Sequence, residues 1–219
     1  MRHLAISLIL AFIIQVAPAI DPECENITNI IGYAVVSFDS NTVLPFFAQP
    51  NSSKQPVQLI RFYNDSAVNS LRFRAEGNKT YSLLRPEMHH LDYSIFELPV
   101  RSKRNGWLEV IVDQQKWITL WVEETQTVRF VNWLSRMQQA FSVERKSPQT
   151  NPLRFRSTGD AKEVELKGRD CFKVTQMQGN WIRVVQQDYC EQDSSSSASG
   201  WIKWRDERGC LLISIHPFA

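Results

Sequence analysis

The feature that most constrains the fold is a pair of short apolar runs near the C-terminus, each opened by Gly and Trp. Residues 179–185 read Gly-Asn-Trp-Ile-Arg-Val-Val, and residues 200–204 read Gly-Trp-Ile-Lys-Trp. In the first run Ile182 and Val184 alternate with Trp181, Arg183 and Val185, and this period of two is the pattern of a strand that buries one face. The two runs therefore predict a β-hairpin.

A shorter version of the same pattern occurs earlier in the chain. Residues 106–110 read Gly-Trp-Leu-Glu-Val and are followed by residues 117–122, Trp-Ile-Thr-Leu-Trp-Val. Counted by their order in each hairpin, Trp107 and Trp117 match Trp181 and Trp201. The longer separation in the second hairpin lies in a Ser-rich stretch, and loops of this kind tolerate insertions.

A second similarity supports the repeat. The sequence around Leu-Arg-Phe-Arg at residues 69–77 reappears at residues 151–159, 82 positions later. Each of these copies is followed by its own Gly-Trp hairpin. The sequence therefore predicts two related β-units.

Composition favours packed β-structure and excludes some classes of partner. The 219 residues are 43% hydrophobic and 11% aromatic, with ten prolines, eight glycines and seven tryptophans. A formal charge of +2 with well-mixed acidic and basic residues gives no electrostatic footprint for nucleic acid. No phosphate-binding or dinucleotide-binding motif occurs, so no cofactor is predicted.

The N-terminus has the pattern of a signal peptide. Arg2 and His3 precede an apolar run from Leu4 to Val16, and Ala17-Pro-Ala19 supplies the small residues that a signal peptidase reads. We expect cleavage after Ala19, export to the periplasm or the extracellular space, and no transmembrane segment in the mature chain.

Four cysteines follow the predicted cleavage site, at Cys24, Cys171, Cys190 and Cys210. In an oxidising compartment an even number favours disulfides, and three connectivities are possible. Cys190 precedes the Ser-rich stretch and Cys210 follows the hairpin, so we favour a Cys190–Cys210 bridge with Cys24 paired to Cys171. The spacing lacks a Cys-x-x-Cys pair, so no metal site is predicted.

Between the repeats the apolar period changes. Phe130, Leu134, Met137 and Phe141 recur at helical spacing, which predicts an amphipathic helix of about three turns that packs against one or both β-units. The predicted organisation is a tail at 20–32, a first domain at 33–124, a helical linker at 125–150 and a second domain at 151–219.

The second domain resembles a bacterial SH3-like domain. The resemblance rests on an opening Leu153-Arg-Phe-Arg strand, an apolar run closing on Lys167-Gly168, a strand from Cys171, and the two Gly-Trp strands. It covers about residues 151–206, and the first domain is similar through the repeat. The resemblance implies an all-β protein of two tandem SH3-like β-barrels joined by the helix. It further implies binding to a peptide, a protein or peptidoglycan in the cell envelope.

The sequence offers few candidate catalytic residues. His89 and His90 lie close to Asp92, but neighbouring side chains on a strand point to opposite faces, so a shared site needs an irregular backbone. We therefore predict a protein that is not an enzyme. The alternatives are a small extracytoplasmic hydrolase that uses these three residues, and a structural envelope subunit without a separate ligand.

The tryptophans are the best candidates for ligand contact. Trp107 and Trp181 open the hairpins and are predicted to fill the cores of the two units. Because an exposed ring beside polar groups suits peptide or glycan contact, the predicted ligand-binding residues are Trp117, Trp121, Trp204 and Arg205. Asn-x-Ser/Thr triplets beginning at Asn26, Asn51, Asn64 and Asn78 are glycan acceptors only in a eukaryotic secretory pathway.

Overall fold

The computed structural model describes residues 27–77, 88–114, 116–187 and 198–217, and within these residues the chain folds into fourteen strands and one α-helix. The all-β class predicted from the sequence is confirmed. In chain order the elements are β1 (Gly32–Val36), β2 (Val43–Phe46), β3 (Gln58–Asp65), β4 (Ser70–Gly77), β5 (Met88–His90), β6 (Ile95–Arg104), β7 (Trp107–Asp113), β8 (Ile118–Glu123), β9 (Val128–Asn132), α1 (Trp133–Gln139), β10 (Ser142–Arg145), β11 (Phe172–Gln178), β12 (Trp181–Gln186), β13 (Ser199–Lys203) and β14 (Ile213–His216). No helix in the described ranges has the length and apolar character needed to cross a bilayer.

Strands β1 to β9 form the first unit. Five of them make an antiparallel sheet in the order β8-β7-β6-β1-β9, with the short β5 beside the start of β6. Strands β2, β3 and β4 form a separate three-stranded sheet. Apolar side chains from both sheets, among them Phe62, Phe96 and Val110, enclose the first core.

Strands β10 to β14 form the second unit, and their sheet repeats the strand order of the first. The order is β13-β12-β11-β10-β14, so each unit has a three-stranded meander next to its first strand, and its last strand pairs with that first strand. The predicted hairpin is confirmed, because β12 pairs with β13 from Trp181 opposite Lys203 to Val185 opposite Ser199.

The two sheets also share a bulge at the same register. In the first unit the ladder shifts between Val100, opposite Val110, and Ser102, opposite Glu109. In the second unit it shifts between Val174, opposite Val184, and Gln176, opposite Arg183. All four equivalent pairs of positions are 74 residues apart. Because a bulge fixes the local register and twist, this agreement supports a true structural repeat.

A reciprocal backbone contact is a further feature of both units. Phe47 and Trp121 exchange two hydrogen bonds of 2.8 Å, and Arg154 and Trp201 exchange two of 2.9 and 2.7 Å. In the first unit the contact joins Phe47, which follows β2, to the outer edge of β8. In the second unit it joins Arg154, which lies between β10 and β11, to the outer edge of β13. Even so, none of the sheets in the described residues closes into a barrel, so the predicted barrels are not a feature of these sheets.

The repeat therefore has a different alignment from the one predicted. Residues 71–74 lie in the regular strand β4, which pairs with β3, whereas residues 153–156 carry only isolated bridges. Arg154 is equivalent to Phe47 rather than to Arg72, and Trp201 is equivalent to Trp121 rather than to Trp117. The predicted strand over residues 162–168 is likewise absent from the described structure, apart from the bridge at Glu163.

Helix α1 is shorter than the three turns predicted. Phe130 lies on β9, where it pairs with Ala34, and the helix therefore begins only at Trp133. The Asn132 side chain accepts a hydrogen bond of 2.8 Å from the Ser135 N–H and caps the helix N-terminus. Both β9 and β10 fall within the stretch 125–150 predicted as a helical linker, and each completes a sheet.

Helix α1 contacts both units. Trp133 donates a hydrogen bond of 2.8 Å from its indole N–H to the Ile30 carbonyl, and its ring contacts Tyr33 of the first unit and Trp204 of the second. The second core includes these rings together with Ile111 from the outer face of β7. The two units consequently share a core.

Candidate binding surface: paired tryptophan faces

The outer face of each meander carries two tryptophans and two charged residues. Because side chains alternate along a strand, Leu108 and Val110 enter the first core while Trp107 and Glu109 point to the opposite face of the sheet. Strand β12 has the same alternation, with Ile182 in the second core. The outer faces are therefore formed by corresponding residues of the two units.

On the first unit the register places Trp107 opposite Glu123 and Glu109 opposite Trp121. These four residues are called the acidic face. Glu123 is exposed, and Trp121 is half-buried beside Arg104, whose guanidinium carbon lies 5.7 Å from the centre of the Trp121 ring. An aromatic ring next to charged groups offers both apolar contact and hydrogen bonds to a partner.

The central carboxylate of the acidic face already has partners within the sheet. Glu109 accepts hydrogen bonds from the hydroxyls of Ser102, at 2.9 Å, and Thr119, at 3.0 Å. The Arg101 guanidinium lies 3.9 Å from the same carboxylate. Glu109 is therefore held in place by its own unit.

Phe47 supports the acidic face from one side. Its ring meets Trp107 edge to face, with ring centres 5.3 Å apart, and its backbone pairs with Trp121. This packing leaves Trp107 only 8% exposed, so the residue is buried as predicted, but on the outer face of the sheet and not in the first core. Its counterpart Trp181 is only half-buried and is not part of the second core, so the prediction that Trp181 fills that core is wrong.

On the second unit the register places Trp181 opposite Lys203 and Arg183 opposite Trp201. These four residues are called the basic face. The Lys203 ammonium lies 5.5 Å from the centre of the Trp181 ring, which is half-buried, and also binds Glu207. This hydrogen bond from Lys203 holds the pKa of the Glu207 carboxyl below its usual value.

Within the described residues, Arg183 has no side-chain partner, unlike its counterpart Glu109. Its side chain is exposed, and among the described residues no salt bridge or side-chain hydrogen bond involves it. A guanidinium presents five donors, which match the geometry of a carboxylate. The basic face thus retains unused binding capacity for an anionic group.

The predicted contact residues fall in different environments. Trp121 belongs to the acidic face. Trp117 is 51% exposed at the turn before β8 and adopts a left-handed backbone with φ of 53°, which is uncommon for a bulky residue. Because β8 begins only at Ile118, the alternation of side chains along that strand does not extend to Trp117.

The prediction that Trp204 is an exposed contact residue is wrong. Its ring is 2% exposed, packs on Trp133 with ring centres 5.2 Å apart, and donates a hydrogen bond of 2.9 Å to the Gly179 carbonyl. Arg205 covers this ring at 4.6 Å and donates to the Asn180 side chain at 2.8 Å, so it is held at the edge of the hairpin turn.

The residues of the alternative hydrolase site give no observation in its favour. His90 ends β5, and Asp92 lies in the 3₁₀ turn Leu91–Tyr93 that follows; both are exposed. The His89 side chain lies outside what the structure describes. Within the described ranges no three His, Cys, Asp or Glu side chains come together as a metal site requires.

Several sequence predictions fall on residues outside the described ranges. These are the signal peptide at residues 1–19, Cys24, Cys190, Asn26 and Asn78. Cys171 and Cys210 are described and buried, at 3% and 4% exposure. The disulfide pairing therefore stays a prediction.

The contact residues predicted from the sequence do not include the charged members of the two faces, which are Glu109, Glu123, Arg183 and Lys203. The available signal was the tryptophan within the second strand of each hairpin, Trp121 in the first and Trp201 in the second. When Trp121 is aligned with Trp201, Glu109 aligns with Arg183 and Glu123 aligns with Lys203, because the members of each pair occupy the same position in their sheets.

Comparison of this chain with family models, with curated proteins and with solved structures finds no match.

Proposed function

We propose that this chain is an exported, non-catalytic binding protein whose two SH3-like units engage a peptide, a protein or peptidoglycan in the cell envelope. The observation that carries the proposal is the pair of tryptophan faces, which occur at the same register in both sheets. Half-buried tryptophans beside charged groups are common anchors in recognition surfaces.

The relation to SH3-like domains has further support in the order of elements. The resemblance predicts a strand, a tight turn, a Gly-Trp strand and a second Gly-Trp strand, and these correspond to β11, the turn at Gly179, β12 and β13. The first unit has the same strand order, with four additional strands, β2 to β5, between its first strand and its meander.

The proposal is tested by co-sedimentation of the purified mature chain with peptidoglycan and by pull-down from an envelope extract. We expect retention by one of them. Replacement of Trp121 or Trp201 by Ala is expected to weaken retention at least about tenfold, the scale of an interface hot spot. Tyr93→Ala is the matched control, because Tyr93 is an aromatic residue that is 64% exposed and lies on neither face. Binding to neither material, or equal binding by all variants, contradicts the proposal.

The hydrolase alternative is separated from this proposal by metal analysis and by hydrolytic assays on the His89→Ala variant. Bound stoichiometric metal, or an activity that this substitution abolishes, would favour the hydrolase. A stable homo-oligomer without any separate ligand would favour the structural subunit.

A further inference from the structure

Equivalent positions of the two faces carry the same tryptophans but opposite charges. Glu109 corresponds to Arg183, and Glu123 corresponds to Lys203. Because the strand order and the bulge register are shared, both faces hold their side chains on the same backbone lattice. Each face is a square whose tryptophans occupy one diagonal and whose charges occupy the other.

Two such squares are complementary when laid face to face. Rotation about the diagonal that carries the charges brings Glu123 over Lys203 and Glu109 over Arg183, and diagonal neighbours in both squares are about 7–8 Å apart. The same rotation brings the half-buried Trp121 over Trp181, whereas Trp107, only 8% exposed, adds little to the contact. We propose that the acidic face of one copy of this chain binds the basic face of a second copy.

Glu123, Arg183 and Lys203 are open to such a contact, whereas the Glu109 side chain is only 20% exposed and is bound within its own unit. Glu123 and Arg183 are both exposed, so the two faces do not neutralise each other within one molecule. Lys203 binds Glu207, but the Glu207 side chain is 74% exposed, and a surface ion pair of this kind is worth only about 0–1 kcal/mol. A carboxylate of a second copy can therefore replace Glu207 at little cost.

The contact joins two different surfaces and is therefore heterologous. An open assembly retains one free acidic face at one end and one free basic face at the other, so association builds open chains or closes into a ring. Four residues on each side form a smaller patch than the about 800 Å² per partner of a standard stable interface. We consequently expect weak association that depends on protein concentration and on salt.

The experiment is sedimentation equilibrium of the mature chain over a wide concentration range, at low salt and at about 0.5 M salt. We expect the mean mass to rise with concentration at low salt and to fall towards the monomer at high salt. A mass that stays monomeric at every concentration in low salt overturns the proposal.

Charge reversal tests whether the two faces are the surfaces that meet. Glu123→Lys and Lys203→Glu are each expected to weaken self-association at least about tenfold, because like charges then face each other. The double variant, and an equimolar mixture of the two single variants, are expected to restore association to nearly the wild-type level. Circular dichroism and thermal unfolding establish that each variant is folded.

Glu165→Lys and Lys167→Glu are the matched controls, because both residues are exposed and lie on neither face. Single variants that associate like the wild type, or a double variant that stays monomeric while folded, overturn the proposal. The outcome is independent of the proposed function, since binding to envelope material is measured by co-sedimentation and pull-down rather than by the mass of the free protein.

Discussion

Glu124 protects the outer edge of the first sheet. Its carboxylate accepts a hydrogen bond of 3.2 Å from the Phe130 N–H of β9 and lies 2.7 Å from the Lys103 ammonium. In the described structure β9 is the last strand of its sheet, and the Phe130 N–H would otherwise be open to pairing with another chain. The Glu124 side chain thus accepts a hydrogen bond from the N–H at the edge of the sheet and places a charged group beside it.

The environment of Glu124 predicts a pH dependence of stability. The hydrogen bond from Lys103 lowers the pKa of the Glu124 carboxyl below the ordinary value of 4.5, against the opposing effect of burial. A lowered folded-state pKa gives stability that is present above the unfolded-state pKa and is lost as pH falls through the folded-state value. Glu124→Gln is expected to cost about 0.5–1 kcal/mol at neutral pH, and the difference from wild type should vanish in acid.

Urea unfolding of the two proteins between neutral pH and pH about 3 measures this difference. Glu165→Gln is the control, since Glu165 is exposed and its loss should change stability little. A Glu124→Gln variant whose stability deficit grows as pH falls would contradict the assignment.

At the scale of elements, the bridge segments distinguish the two units. Gly200 precedes Trp201 on β13, whereas Leu120 precedes Trp121 on β8. A Cβ atom on Gly200 would lie 2.7 Å from the Arg154 carbonyl oxygen and 2.9 Å from the Leu153 side chain. The close approach of residues 153–154 to β13 therefore requires glycine at this position.

Gly200→Ala is expected to destabilise the second unit by about 1–3 kcal/mol, because the bridge segment must move away from the strand. Thermal unfolding and amide hydrogen exchange at Arg154 and Trp201 measure the effect, since these two N–H groups make the bridge hydrogen bonds. Gly159→Ala is the control, because a Cβ there meets nothing within 4 Å. Equal effects of the two substitutions would show that the close approach is unimportant.

The elements also show what periodicity could and could not predict. The hairpin of β12 and β13 was predictable because Ile182 and Val184 alternate with surface residues, and only one register buries them. The alignment of the repeat was not, because Phe47 and Arg154 share no chemistry and are equivalent only through backbone pairing. Leu-Arg-Phe-Arg is a resemblance of side chains between two segments with different backbone partners.

The candidate faces were partly predictable for the same reason. Trp121 could be placed on a surface because its strand alternates. The burial of Trp204 depends on Trp133, which the predicted helix carried without an assigned contact. A strand pattern reports which side of a sheet a residue occupies, but not which distant element covers it.

At the scale of the whole molecule, backbone contacts bear on the disulfide pairing. The Ile27 N–H donates to the Gly209 carbonyl, and the Gln187 N–H donates to the Cys171 carbonyl, both at 2.9 Å. Cys24 is three residues from Ile27, and Cys190 is three residues from Gln187. Three residues span at most about 11 Å. Short chain paths therefore favour Cys24–Cys210 with Cys171–Cys190 over the Cys190–Cys210 bridge favoured by the sequence.

Peptide mapping of the non-reduced protein decides between these connectivities. We expect one linked peptide to contain Cys24 and Cys210 and another to contain Cys171 and Cys190. A linked peptide containing Cys190 and Cys210 would instead support the pairing predicted from the sequence. Four free thiols would argue against an oxidising compartment and hence against export.

The junction between the units contains a largely buried ion pair. The Arg136 guanidinium on α1 donates two hydrogen bonds, of 3.0 and 2.8 Å, to one oxygen of Glu97 on β6, and it stacks on Tyr33 at 3.7 Å. The two side chains are only 10% and 14% exposed. Removing one member of a buried ion pair leaves the other charge buried without a partner, whereas replacing both members with apolar residues leaves no unpaired charge.

Arg136→Met is therefore expected to destabilise the protein by about 3–5 kcal/mol, and the double variant Arg136→Met, Glu97→Leu to recover most of that loss. Because Tyr33 and Ile111 of the first unit lie in the second core, the loss should affect both units together. Tryptophan fluorescence and far-ultraviolet circular dichroism during urea unfolding measure this, and we expect their transitions to coincide. Two separate transitions in the wild-type protein would mean that the shared core does not couple the units, and that the ion pair only positions one against the other.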